Sequence, residues 1–501
     1  MSLLGVDIGT TMCKSAAFSV DGRCMGTSSR EYRTLNLGPG RAELDSRDVW
    51  QKVCQTIREV AVLSAHDPIT AMCVSSVGEA VVPVSRGREI LGNSILCSDT
   101  RGVEYAESLR NEIGQEAFYR INPNLIGPQY SLPKLLWLRD HQKDLFDRAD
   151  LFLLWGDLVG FLLGCEAVTN NSLANRTLLL DLDRNDWSDS LLNWSGLPRE
   201  KLGRVVPGGT VVGAISDSAA ELLGLPRGVR VVAGGHDQCC NSLGCGCIEP
   251  GKAVCGMGTY ECITPAFARV ADPLAMLKEN LNIEHHVLGD LYVAFLFNQA
   301  GALVKWFRDT FAAADASDAE GIYAKLNAEM PAGPTGLLVL PHFEAPLWPR
   351  YMPDTSGVIV GLHTSTQRGE ILKAIMECET FYFVESIEAL RRMGIDLKGF
   401  VAAGGGAKSD RWLQIKADIF GIPFVRLRNS EGGLAGAAML AGIATGLYKS
   451  PADAVTAFVH QDRTFEPDGR THELYRAKYD LYRELYPATS SLLSRLKSPS
   501  L

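Results

Sequence analysis

Val231 to Tyr260 reads VVAGGHDQCCNSLGCGCIEPGKAVCGMGTY, and the fold follows from how this stretch begins and ends. Its β-branched opening predicts a buried strand that stops at Gly234-Gly235 and presents His236, Asp237 and Gln238 where the backbone turns. A later apolar run ends in Gly256-Met257-Gly258-Thr259, a predicted turn whose glycines let the backbone approach a bulky anion and offer it N–H groups. One supersecondary unit thus joins a candidate proton acceptor to a candidate phosphate loop.

The chain opens on the same pattern. Leu3 to Ile8 reads as a strand, Gly9-Thr10-Thr11 as a tight loop, Lys14 to Val20 as a second strand, and Asp21-Gly22 as a hairpin turn. The run from Gly251 to Ile263 repeats strand, Gly-x-Gly-Thr and strand, so the chain reads as two duplicated domains, each bringing a phosphate loop to a shared cleft. The boundary is placed at 245, giving an N-terminal domain 1–245 and a C-terminal domain 246–501 with a charged helical tail. Asp7 points from its strand towards the first loop. It either caps the turn or orients the water shell of Mg²⁺ while the loop N–H groups and the Thr10 and Thr11 hydroxyls meet phosphates.

At 501 residues, with 46% hydrophobic and 21% charged residues, the chain suits a folded two-domain protein. A net charge of −9 argues against a nucleic-acid partner held by non-specific phosphate contacts. No leader opens the chain, and the longest apolar stretch, Leu151 to Cys165, is interrupted by Asp157 and too short for a bilayer, so a cytoplasmic protein is expected. Thirteen cysteines form no dense disulfide framework. The cluster Cys239, Cys240, Cys245, Cys247 and Cys255 lacks the paired spacing of zinc sites and reads as small buried residues in strand and turn positions. His285-His286 lies in a strand-like run, where neighbours face opposite ways, so joint chelation is not expected.

Between these landmarks, Asp45 or Ser46 starts a helix, Ala71 to Ser75 and Val81 to Val84 are strands, and 129 to 141 is an amphipathic helix. Glu79, and Asp99 and Arg101 in the apolar run from Ile95, are charged residues beside strands. Such positions suit a polyhydroxylated ligand as well as an ordinary solvated strand end. Phe400 to Ala403 is a strand delivering Gly404-Gly405-Gly406 to a helix capped by Ser409 or Asp410. That turn admits a planar ring or a phosphate at the helix N-terminus, or is simply a tight connection. No G-x-x-x-x-G-K-[ST] run occurs, which counts against a P-loop.

The most specific match is Gly357-Val358-Ile359-Val360-Gly361-Leu362, seven residues, Glu370-Ile371, then Ala374-Ile375-Met376-Glu377. With Asp7-Ile8-Gly9-Thr10, Gly235-His236-Asp237, Gly258-Thr259 and Gly404-Gly405-Gly406-Ala407, it resembles the FGGY family of carbohydrate kinases over essentially the whole chain. The resemblance implies an α/β fold of two ribonuclease-H-like (actin/hexokinase-type) domains flanking a central cleft. It implies transfer of the ATP γ-phosphoryl group, with Mg²⁺, to a hydroxyl of a sugar, polyol or sugar acid. Asp237 falls on the family's catalytic base, and Asp7 with Asp237 on the metal side. Glu79, Gln129 and Gln238 fall at or near substrate positions, joined by Asp99 and Arg101. Thr10, Thr11, Gly258, Thr259 and Gly301 match phosphate-side positions and Gly406 and Asp410 adenosine-side ones. Gly9, Lys14, Lys305, Gly404 and Gly405 complete the nucleotide set.

Three departures bear on substrate. Val77-Gly78-Glu79-Ala80 replaces the Gln-Met-His-Gly of xylulokinases, Cys97 stands where many members have Trp, and His342-Phe343-Glu344-Ala345-Pro346 lacks a common Arg. An actin-type ATPase switch without a sugar substrate is the alternative class, and a non-enzymatic sugar sensor ranks behind it. A small carbohydrate is the expected partner, with no nucleic acid or membrane, and a homodimer is the assembly considered.

Overall fold

The β-branched runs pair into two mixed sheets of matching topology. The structure, a computed structural model, describes residues 1–270, 272–313, 319–343, 355–429 and 431–496. In the first sheet β1 (Ser2–Ile8), β2 (Met12–Ser19) and β3 (Cys24–Glu31) form an antiparallel meander. Strand β4 (Ile69–Ser76) runs parallel to β1. At the far edge β5 (Val211–Ala214) is antiparallel to β6 (Arg230–His236), which lies parallel to β4. The order is β5-β6-β4-β1-β2-β3.

The second sheet uses β7 (Lys252–Met257), β8 (Tyr260–Phe267), β9 (Asn282–His285), β10 (Tyr292–Gln299), β11 (Gly399–Ala403), β12 (Phe424–Leu427) and β13 (Gln461–Phe465) in the order β9-β10-β8-β7-β11-β12-β13. Strands β10-β8-β7-β11-β12 repeat the directions of β3-β2-β1-β4-β6, with β7, β11 and β12 parallel and the hairpin partners antiparallel. The internal repeat read from the two Gly-Thr loops is thus a duplicated five-stranded sheet, as in ribonuclease-H-like domains.

Helices cover the sheets. Helix α1 (Ser46–Leu63) begins where Asp45 accepts from the N–H groups of Arg47 and Asp48, and buries Val49, Val53, Ile57 and Val60 against the first sheet. Helix α2 (Ser131–His141) differs from its expected amphipathic form. Ser131 to Leu136 and Leu138 are all buried, because the helix lies inside the first lobe and even Lys134 points inward.

Between the lobes run α3 (Asp237–Gly244) and α7 (Gly432–Ala444). Chain order separates them by α4 (Gly301–Phe311), α5 (Arg368–Arg392) and α6 (Asp410–Phe420), and α8 (Pro451–Phe458) and α9 (Gly469–Leu496) follow. Although α7 and α8 come late in the chain, Leu434, Ala437, Leu440, Ala454 and Phe458 share a core with Leu3, Ala71 and Val232 of the first sheet. At the crossing of α3 and α7 the backbones touch. A Cβ on Gly244 would stand 1.9 Å from the Gly432 carbonyl oxygen, and one on Gly436 1.9 Å from that of Cys240. On the other side, Cys245 and Cys247, just past α3, pack with Val254 and Ala403 of the second sheet. The tail docks as expected: Tyr475 of α9 donates to Glu377 Oε1 on α5 at 2.9 Å, and Lys478 pairs with the same carboxylate and with Thr335 Oγ1.

Several expectations need correction. The strand after Val231 runs through Gly234-Gly235 to His236, and α3 starts at once, so Cys239 and Cys240 are helical. Gly256 and Met257 likewise belong to β7, which shortens the second loop to Gly258-Thr259. Only Ser94–Ile95 of the run leading to Arg101 is extended, because the chain there turns around Asp99. All thirteen cysteines are unbridged, and all but Cys24 and Cys97 are buried. Among the described residues no helix is long and apolar enough to cross a membrane. Glu344-Ala345-Pro346 lie outside the described residues.

The helix crossing makes a direct prediction. Gly436→Val forces a side chain into the Cys240 carbonyl and should cost about 1–3 kcal/mol or more of unfolding free energy. Gly399→Ala, where an added Cβ meets nothing within 4 Å, should change stability by less than about 0.5 kcal/mol. Urea denaturation of the two variants measures the contrast.

Candidate active site

Strand β6 is buried from Val231 to His236, and the chain enters α3 directly at Asp237. In the run 231–247 only Asp237, Gln238 and Asn241 are half-buried, and the rest are buried. The Asp237 carboxylate occupies the first turn of its helix, where free N–H groups and the helix dipole favour negative charge.

Asp7, one residue before the end of β1, faces this carboxylate. Desolvation first, and repulsion from Asp237 second, push the Asp7 carboxyl up to about 6, although Ser75 Oγ donates to Oδ1 at 2.6 Å. Two carboxylates that repel one another offer hard oxygen ligands of the kind Mg²⁺ takes, so the donor set fits that ion. The first loop is held by Gly9 N donating to Met12 O at 2.9 Å and by the Tyr32 hydroxyl on Gly9 O at 2.5 Å. Thr10 and Thr11 stand at its accessible tip.

The second loop and the start of α4 form one unit. Gly301 N donates to Gly258 O at 3.1 Å and Ala302 N to Thr259 O at 3.0 Å. A Cβ on Gly301 would come within 2.2 Å of Gly258 O, so glycine is what lets the helix end sit on the loop. Lys305 is exposed one turn further along α4. Gly404 has φ +82° and, with Gly406, packs against Met257, while a Cβ on Gly405 would meet nothing within 4 Å. Gly404 and Gly405 open onto a cleft of about 790 Å³ lined also by Lys14, Lys408, Arg428 and Glu431. Lys14 crosses this cleft to Glu431, with Nζ 2.9 Å from Oε2. Asp410 does not line it. Its two oxygens are taken by Arg426 at 2.6 Å and Arg463 at 2.5 Å.

On the other side of Asp237, Glu79 sits at φ 60°, in the left-handed region, and is buried. Arg176 donates to its Oε1 from Nε at 2.7 Å and also from Nη2. The missing side chain of Gly78 makes room for Arg176, whose Cγ would lie 2.9 Å from a Cβ there. Cys97 feels both Glu79 and Asp237, and burial first, then Glu79, pushes its thiol up to about 12. Gln238 follows Asp237 on α3, and Gln129 precedes the buried Tyr130, over which Arg176 stacks at 4.8 Å.

Asp99 and Arg101 are differently placed. Both are buried, and Arg101 Nε lies 3.0 Å from each Asp99 oxygen, with Glu43 a further 2.8 Å partner of Arg101. Burial works against the Asp99 charge, but Arg101 and the Ala42 N–H hold its carboxyl below the ordinary range. Burial lowers Lys134 to about 8, opposed by Asp99.

Among the described residues one group could hold a metal by proximity, His236, Cys239 and Glu284, whose ligand atoms lie within 4.8 Å of one another. Hydrogen bonds already account for it. His236 Nδ1 is 2.8 Å from Glu284 Oε1, and the Cys239 thiol donates to His285 O at 3.3 Å. Sequence reasoning missed Arg176, Glu284 and Glu431. None of the three belongs to a motif: Arg176 lies in a polar run, Glu284 in the strand-like run that carries His285, and Glu431 just before a pair of glycines.

Known proteins match this architecture end to end. Residues 2–244 match the N-terminal domain of the FGGY family of carbohydrate kinases and residues 273–445 its C-terminal domain. A xylulose kinase of Bacillus subtilis (strain 168) is 30% identical over 502 residues, covering 99% of each chain. An autoinducer-2 kinase of Escherichia coli (strain K12) is 28% identical over 504 residues, covering 97% of this chain and 94% of that one. The crystal structure of xylulose kinase from Rhodospirillum rubrum superposes with a TM-score of 0.89 at 27% identity, over 98% of this chain and 100% of that one. Two loop-bearing sheets, a carboxylate between them and this coverage lead to one conclusion: the chain belongs to the FGGY family of carbohydrate kinases.

Proposed function

We propose that the chain transfers the γ-phosphoryl group of ATP to a hydroxyl of a small sugar, polyol or sugar acid in the cytoplasm, with Asp237 as general base. The observation that carries this reading is the half-buried Asp237 carboxylate at the start of the interlobe helix, facing Asp7 beside one phosphate loop. Phosphoryl transfer asks for positioning and charge stabilisation rather than covalent chemistry by the protein. Asp237 takes the hydroxyl proton as that oxygen bonds to the γ-phosphorus and the bond to ADP breaks.

Thr10 and Thr11 on one side, and Thr259 on the other, supply N–H and hydroxyl donors to the phosphates, while Gly9, Gly258 and Gly301, whose own N–H groups are bonded within the loops, let the backbone come close. Gly404, Gly405 and Gly406 leave the cleft open for the adenosine. Lys14 is delivered to the phosphates once ATP displaces its partner Glu431, Lys305 adds positive charge from α4, and Asp410 acts by fixing Arg426 at the cleft wall. Asp7 and Asp237 would hold Mg²⁺, which when bound offsets the negative charge of the β- and γ-phosphates.

Both Arg176 bonds fall on Glu79 Oε1, which leaves Oε2 to accept from a sugar hydroxyl. Gln238 and Gln129 complete the polar lining. Asp99 and Arg101 serve as a rigid wall, since their polar atoms are engaged with each other and with Glu43. The relatives' names give xylulose and autoinducer-2 as their substrates, so xylulose heads the test panel. An ATPase switch without a sugar substrate would leave the Glu79–Arg176 arrangement without a purpose.

Asp237→Asn should lower kcat by about 10²–10⁴-fold with ATP still bound, as measured by coupled ADP release across ketoses, polyols and aldonates. Undiminished turnover in that variant, or ADP release indifferent to every sugar, contradicts the reading. Asp7 adds a pH test. Its folded-state value of about 6 lies above the ordinary 3.8, so the penalty for its charge is absent below about pH 4 and complete above about pH 6. Asp7→Asn should therefore abolish turnover yet stabilise the free protein by about 1–3 kcal/mol at pH 8 and not at pH 4, read by thermal unfolding. An equal gain at both pH values rules out this origin of the effect.

A further inference from the structure

The run Val77-Gly78-Glu79-Ala80 finds its structural counterpart in Arg176. A Cβ on Gly78 would stand 2.9 Å from Cγ, 3.2 Å from Cβ and 3.3 Å from Nε of Arg176, so the guanidinium reaches Glu79 because residue 78 has no side chain. It lies between the Tyr130 ring of the first lobe, at 4.8 Å, and the Phe295 ring of the second, at 5.9 Å. With Nε and Nη2 both on Glu79 Oε1, two polar atoms are left over. Among the described residues neither Arg176 Nη1 nor Glu79 Oε2 has a hydrogen-bond partner. Neither is sealed from solvent, the two side chains being 14% and 5% exposed.

This free donor and free acceptor share a space with Asp237. The charges of Arg176 and Asp237 both reach Cys97 in the first lobe and Cys262 in the second. A donor beside an acceptor suits two neighbouring ligand oxygens, one accepting from Nη1–H and the next donating to Oε2. The same place is hostile to an anion. Glu79, Glu284 and Asp237 are three carboxylates, and they outnumber Arg176 and His236 even with both of these charged. Arg176 is already matched by Glu79, so a ligand carboxylate would meet net negative charge.

We propose that Arg176 is a specificity-determining residue of the acceptor site, admitted by Gly78, and that with Glu79 it selects a neutral sugar or polyol with oxygens on adjacent carbons over a sugar acid. Nη1 donates to one ligand oxygen and Oε2 accepts from the neighbouring hydroxyl, which leaves a further hydroxyl for Asp237. This rests on the phosphoryl transfer proposed above and removes the sugar acid from its acceptors. No proton or phosphoryl group passes through Arg176 or Glu79; they bind and orient.

The test measures kcat and KM of the full-length protein for xylulose, xylitol and xylonate, and for fructose, glucitol and gluconate, with KM for ATP alongside. Within each set the carbon count is constant and the charge differs. The neutral members should exceed the acid in kcat/KM by about 100-fold or more. Arg176→Lys keeps the charge but not the fork of donors, and should raise KM for the neutral acceptors by about 10–100-fold with KM for ATP unchanged. Glu79→Gln removes one carboxylate and should narrow the gap between neutral acceptor and acid about tenfold. Gly78→Ala crowds Arg176 without touching its charge, and should raise the same KM even if Arg176→Lys does not fold.

An acid used as well as its neutral counterparts, an unchanged acceptor KM in Arg176→Lys or Gly78→Ala, or a gap in Glu79→Gln as wide as in the wild type would each overturn the proposal. So would KM for ATP rising in step with KM for the acceptor, the mark of a merely structural role. ADP release indifferent to every acceptor overturns the kinase reading itself, whereas turnover that favours the acid overturns only the role given to Arg176.

Discussion

The rest of the molecule depends on two helices crossing at backbone contact. Gly244 lies against Gly432, and Gly436 against Cys240, with no room for a side chain at either point. Interiors this dense respond to single methyl groups, so the glycines set the spacing of the layer between the sheets. That layer also sets the chemistry. Helix α3 starts with Asp237, and α7 starts beside Asp7, with a Cβ on Gly433 only 3.4 Å from Asp7 Oδ1. One seam therefore fixes both the distance between the lobes and the place where two carboxylates meet.

Each lobe balances buried charge close to its loop. In the first, Glu79 is matched by Arg176, and Asp99 by Arg101. In the second, Lys416 Nζ lies 2.7 Å from Glu261 Oε1, both fully buried just beyond the Gly258-Thr259 turn, while burial keeps Glu379 nearby well above its ordinary range. Buried pairs of this kind are poor sources of net stability but costly to break singly, which keeps side chains in one arrangement. Among the described residues Asp7 has no such match. Its repulsion with Asp237 is what a bound cation would relieve.

Much of this was legible in the sequence because it rests on local patterns. Alternating and β-branched runs gave β1, β2, β6, β7 and β11, and Gly-Thr turns gave both loops and the duplication. Asp45 and Ser409 act as the caps their positions suggested, with Ser409 Oγ accepting from Trp412 N at 3.2 Å. What escaped depends on distant contacts. Nothing near Arg176 marks it as the partner of Glu79, 97 residues away, and nothing near Glu284 points to His236, 48 residues away. The same cause explains why Asp99 and Arg101, read as ligand-facing, turn to each other, and why α2 is buried on most sides. Periodicity reports one buried face but not how many neighbours a helix has.

The central claim is that Asp237 accepts a proton and never the phosphoryl group, so the sugar oxygen attacks ATP in one displacement. The stereochemistry at phosphorus decides this most directly. With ATP made chiral at the γ-phosphorus by oxygen isotopes, a single in-line transfer should give a sugar phosphate of inverted configuration. Retention would require a phosphorylated protein intermediate and would contradict the role given to Asp237.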